Sequence, residues 1–140
     1  MGWLDVVEKV KPHAAELTSF AKEIKEAGFE RVVVAGMGGS SLCTLVLQTA
    51  FPSAPGLPLS VLDSTDPGTV LRIEKIGPIE KTLFVVASKS GSTAEPNAFN
   101  DYFYEAVSAP DGGFYAVGST ASVGAGLGSR GFSPALAASR

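Results

Sequence analysis

Two short stretches gather small and hydroxyl-bearing residues: Gly36-Met-Gly-Gly-Ser-Ser41 and Ser88-Lys-Ser-Gly-Ser-Thr93. In the first, glycines allow backbone N–H groups to come close to a bound anion, and the helix expected after them adds unpaired donors and the positive end of its dipole. The second stretch offers the hydroxyls of Ser88, Ser90, Ser92 and Thr93 with the ammonium of Lys89. A phosphate monoester carries about −1.5 to −2 charges near pH 7 and three strong acceptor oxygens. Hydroxyls, backbone N–H groups and one cation meet that demand locally.

Other readings of the same residues compete. Gly36-x-Gly38-x-x-Ser41 nearly fits the dinucleotide fingerprint, and Asp63 falls about where a ribose-binding acid belongs, but position 41 is serine where glycine or alanine is usual. The first stretch also reads as a turn that needs small residues to pack a strand against a helix. In the second, Ser92-x-x-Glu95 fits a capping box, and Glu95 could itself cap a helix beginning at Pro96. Capping accounts for Ser92 or Glu95 and leaves Ser88, Lys89 and Ser90 unexplained.

The elements that must position these loops alternate in period. Leu17, Phe20, Ala21 and Ile24 make one apolar stripe of a helix, with a shorter helix around residues 4–10 set off by Pro12 and a stop at Gly28. Arg31-Val-Val-Val-Ala35 is a short β-branched run of the kind buried on both faces of a sheet. A helix from about Leu42 to Ala50, a second strand over 59–63, and a helix opening at Pro67 and ending near Gly77 follow. A third strand over 82–87, a helix to about Val107 and a fourth strand at Phe114–Val117 complete the pattern. This is a doubly wound parallel α/β sheet, and both loops fall at the C-terminal ends of strands, where ligands of such sheets gather.

Three regions emerge: an N-terminal helical segment over 1–30, the sheet domain over 31–117, and a tail over 118–140 dominated by Gly, Ala and Ser with no acidic residue and no lysine. That tail reads as disordered, or as sequence outside the parent reading frame. At 140 residues there is room for one domain. A net charge of −3 argues against a nucleic-acid surface. The apolar runs fall far short of the roughly 20 residues of a membrane span, and the charged first helix is no signal peptide. One cysteine and one histidine leave little for a metal site and exclude an internal disulfide. A cytoplasmic setting is expected.

Gly36-Met-Gly-Gly-Ser-Ser-Leu42 and Ser88-Lys-Ser-Gly-Ser-Thr-Ala-Glu95 resemble the two signatures of phosphoglucose isomerase, within the sugar isomerase domain family. Gly2-Trp-Leu-Asp5, Leu62-Asp-Ser-Thr-Asp-Pro67 and Glu95-Pro-Asn97 look most like the isomerase half of bifunctional transaldolase–phosphoglucose isomerase proteins. The resemblance covers roughly 2–117. It implies a flavodoxin-like sheet, here incomplete at the C-terminus, and aldose–ketose interconversion of glucose 6-phosphate and fructose 6-phosphate. No cofactor and no metal are implied. By the same resemblance, Ser88, Lys89, Ser90, Ser92 and Thr93 hold the substrate phosphate, with Ser92 standing where threonine is common. Gly38, Gly39 and Ser40 contact the sugar or its phosphate.

The family moves a proton between C2 and C1 through an enediol, using a glutamate base, an arginine, a histidine and a lysine whose motifs match nothing in this chain. No catalytic residue is therefore expected here. His13 reads as a surface histidine and Cys43 as a small core residue of the helix after the first strand. Asp101 and Glu105 read as a solvated helix face, and Trp3, Tyr102, Phe103 and Tyr104 as packing residues. A sheet that stops at a fourth strand leaves an open edge; dimerisation would cover it, and family members are commonly dimeric. A non-catalytic module that senses sugar phosphates is the competing reading.

Overall fold

The computed structural model describes residues 4–88 and 92–107. The first elements are α1 (Val6–Val10), a 3-10 turn and α2 (Ala14–Glu26). Then come β1 (Arg31–Gly36), α3 (Gly39–Ala50), β2 (Leu59–Leu62) and α4 (Pro67–Lys75). A second 3-10 turn, β3 (Thr82–Ala87) and α5 (Ala94–Val107) follow. The expected fourth strand at 114–117 and the tail lie outside the described residues, as do Trp3, Lys89 and Ser90.

The sheet is parallel, in the order β2-β1-β3. β1 is central, and its β-branched residues are accordingly buried on both faces. Period-2 alternation divides the core in two. On one face Val33, Ala35, Phe84 and Leu62 meet Ile73 of α4 and Phe99 and Phe103 of α5. On the other, Leu83 meets Ile24 of α2 and Phe29, with Val32, Val85 and Phe20 packed against them. Phe84 and Phe103 stack with centroids 4.3 Å apart. The chain crosses from β1 to β2 in one direction and from β2 past β1 to β3 in the other, so right-handed crossovers set α3 and α4 on opposite faces. That is the doubly wound arrangement. No helix among the described residues is long and apolar enough to cross a membrane.

Local signals explain the helix ends. The Asp66 side chain accepts from the Thr69 backbone N–H (2.8 Å) with Pro67 in the first turn of α4. Gly28, at φ +89°, follows the end of α2.

Four expectations need correction. The stripe on α2 buries only its last turns: Ile24 is buried and Phe20 half-buried, while Leu17 and Ala21 face solvent. α3 starts at Gly39, three residues before Leu42, because Gly38 serves as its N-cap. β2 ends at Leu62, leaving Asp63 as the first residue of the following loop. Cys43 is exposed, since the face of α3 that meets the sheet carries Ser41, Thr44 and Leu45 instead.

Candidate functional site

Parallel pairing in register sets Gly36 beside Ala87, the last residues of β1 and β3. The two hydroxyl-bearing loops therefore leave the sheet side by side. A Cβ at Gly36 would stand 2.8 Å from the Ala87 carbonyl oxygen and 3.2 Å from Ser40 Cβ, so only glycine lets the strand ends and the start of α3 close up this far. Gly38 follows at φ 56°, ψ −125°, a backbone shape that side-chain-bearing residues rarely adopt. It turns the chain from β1 into α3 within two residues.

Gly38 and Gly39 are exposed, and a Cβ at either would meet nothing within 4 Å. Their backbone thus borders open space at the mouth of the sheet. Ser40, in the first turn of α3, is half-buried. Ser41, by contrast, is fully buried, and its hydroxyl donates to the Gly38 carbonyl at 3.0 Å. Ser41 fastens the turn from below, leaving Ser40 as the nearer of the two to solvent.

From the second loop, Ser88 is buried at the end of β3, Ser92 is exposed and Thr93 half-buried. α5 opens at Ala94, with the Asn97 N–H bonded to the Thr93 carbonyl (3.4 Å). Thr93 therefore occupies the N-cap position and Pro96 lies in the first turn. Neither the Ser92 capping box nor a Glu95 cap fits that start. α3 and α5 both begin at this end of the sheet, so the positive ends of two helix dipoles lie at the same mouth. Such an arrangement suits an anion and opposes a cation.

The residues set aside from chemistry stand apart from this mouth. His13 is exposed, and its Nδ1 pairs with Glu16 Oε2 at 2.9 Å. Asp101 and Glu105 lie on the exposed side of α5. Phe103 is buried, with Tyr102 packed edge-on against it at 5.0 Å. Tyr104 is exposed.

One residue that the sequence did not single out organises the opposite end of the sheet. Arg31 opens β1 and is buried. Its Nε donates to Thr82 Oγ1 (2.6 Å), Nη1 to the Ile73 carbonyl (2.9 Å) and Nη2 to the Gly77 carbonyl (3.2 Å). The Thr82 hydroxyl in turn donates to the Pro78 carbonyl (2.8 Å). One guanidinium thus ties β1, β3 and the C-terminal end of α4, where helix carbonyls lack intrahelical donors. Burial lowers its pKa from the ordinary guanidinium value. A charge heading an apolar run is the only sequence signal, and it does not say whether the side chain turns inward.

No protein-family model matches the chain. Individual relatives do. It is 35% identical over 97 residues to glucose-6-phosphate isomerase of Thermus thermophilus, a match covering 68% of this chain and 22% of that enzyme. It is 37% identical over 91 residues to glucose-6-phosphate isomerase of Carboxydothermus hydrogenoformans, covering 58% and 19%. The crystal structure of a glucose-6-phosphate isomerase from Chlamydia trachomatis superposes with a TM-score of 0.68 at 30% identity, over 84% of this chain and 23% of that one. A hypothetical protein of Thermus thermophilus gives 0.58 at 34% identity, over 75% and 24%.

Strand order, parallel register and these neighbours define an α/β domain of the sugar isomerase type. Within that class, the chain belongs to the phosphoglucose isomerase family. It spans about a fifth of the length of the relatives it matches.

Proposed function

We propose that the mouth between the β1 and β3 loops binds the phosphate of a sugar phosphate, as part of an isomerase that interconverts glucose 6-phosphate and fructose 6-phosphate. The observation that carries this reading is the register pairing of Gly36 with Ala87, which brings two Gly/Ser/Thr loops and two helix N-termini to one place. In this reading Gly38, Gly39 and Ser40 belong to one loop of the mouth, and Ser88, Ser92 and Thr93 to the other, whose sequence also contains Lys89 and Ser90. Backbone donors and hydroxyls would surround the three phosphate oxygens, leaving the sugar to extend over the mouth. Proton transfer between C1 and C2 needs a base and groups that assist ring opening, and the chain's own motifs offer no match for those. The chain by itself accordingly binds the sugar phosphate and turns over little of it.

A thermal melt with fructose 6-phosphate tests this, with fructose and a nicotinamide dinucleotide as controls. Ligand at a hundred times its Kd stabilises by about 2.7 kcal/mol, a rise on the order of 10 °C for a domain of this size. A rise with fructose 6-phosphate alone supports the reading. A cooperative melt that none of the three ligands shifts removes it, and a rise with the dinucleotide alone would restore the nucleotide-binding alternative.

A further inference from the structure

The outer side of α3 is unlike the exposed side of any other long helix here. α2, α4 and α5 carry charged residues throughout, whereas α3 contains none. The whole run from Val32 to Leu62 lacks a charged residue. Ser41, Thr44 and Leu45 of α3 turn toward the sheet, and Gln48 donates to the Leu59 carbonyl of β2 (3.0 Å). The opposite side presents Leu42, Cys43, Val46, Leu47 and Ala50, with Phe51 just beyond, all exposed; Val46 and Phe51 are each 63% accessible. A contiguous exposed apolar side of this kind marks a surface that another body covers.

We infer that this side of α3 seats the remainder of an isomerase polypeptide, the four-fifths of the relatives' length that this chain does not match. Three considerations select that occupant. A nucleic acid or an anionic membrane needs cations, and α3 and its flanks carry none. A second copy packed through α3 alone gains too little: twelve residues make a helix about 18 Å long, and a strip of that length buries well under the roughly 800 Å² per partner of a stable dimer. A segment of the same polypeptide needs no such area, because its effective concentration is already high. Moreover, α3 starts at Gly39, in the candidate phosphate loop, so the segment that covers it stands next to the site. The inference rests on family membership and is independent of phosphate binding.

Cys43 is the only cysteine and lies on this side, which makes it the probe. Its rate of maleimide labelling is measured in the 140-residue chain and in a chimera where this chain replaces the 97 residues it matches in Thermus thermophilus glucose-6-phosphate isomerase, with that enzyme's own cysteines removed. The chain should label like an unhindered thiol, and the folded chimera at least tenfold more slowly. Equal rates in a cooperatively melting chimera overturn the inference. So does protection in the chain alone, either at low concentration (a cover within the chain) or appearing as concentration rises (a second copy). Should the chimera not melt cooperatively, Val46→Glu with Leu47→Glu in the 140-residue chain decides. A midpoint unchanged within about 3 °C agrees with a side unused inside the chain, and a larger fall overturns it. Slow labelling in a chimera that fructose 6-phosphate does not stabilise would defeat the phosphate reading alone.

Discussion

At the scale of single residues, Gly36 and Ser88 make opposite predictions. Gly36 is a packing requirement: a methyl group there would press on the Ala87 carbonyl of the neighbouring strand. Gly36→Ala should cost about 1–3 kcal/mol, as overpacking does, read as a lower urea midpoint at unchanged slope. Ser88→Ala, by contrast, should act on binding. A hydrogen bond to a charged group is worth about 1.5–3 kcal/mol, so affinity for fructose 6-phosphate should fall roughly tenfold to a hundredfold by calorimetry. Unchanged affinity would take Ser88 out of the site. The two loops were legible in the sequence because glycine and hydroxyl residues cluster where strands end. The division of labour between Ser40 and Ser41 was not, since two adjacent identical residues differ only in which way the helix turns them.

At the scale of elements, Arg31 and Tyr102 join parts that are distant in sequence. Arg31→Met removes a donor set shared by β3 and the end of α4 and leaves buried acceptors unpaired. It should lower stability by about 3 kcal/mol in urea unfolding, and Arg31→Lys should recover little of this, because an ammonium cannot match the planar fork that reaches all three acceptors. The Tyr102 hydroxyl of α5 donates to Glu74 Oε2 of α4 at 2.8 Å. That hydrogen bond, with lesser help from desolvation and the carboxylate charge, raises the phenol pKa above its ordinary 10.0. The protonated phenol is the form favoured by folding. Its contribution is therefore complete below pH 10 and is lost as pH rises through the raised value. Melts of the native chain and Tyr102→Phe should differ at pH 8 and converge as the pH rises through the raised phenol value; a difference that persists once the phenol is ionised would assign it to packing. Helix and strand identities followed from period and β-branching, yet neither link was visible, since both depend on which elements become neighbours.

At the scale of the molecule, protection is unevenly distributed. β1 is paired on both sides and covered on both faces, whereas α1 buries no residue at all. Amide exchange should accordingly place β1 at the global unfolding free energy and α1 near zero. Protection of α1 equal to that of β1 would mean that the N-terminal segment is held by contacts absent from this fold.

The sequence by itself determined the parallel α/β class, the element order from the first helix through α5 and the two loops, because each of these follows from local period, turn chemistry and strand-end position. Family resemblance was carried by the same short motifs. Tertiary structure alone decided that β1 is central, that Gly36 pairs with Ala87 so the loops share a mouth, that Arg31 turns inward, and that the uncharged side of α3 faces outward. Each of those depends on which strands and helices come to lie together. Local patterns fix what an element is; only packing fixes what it lies against.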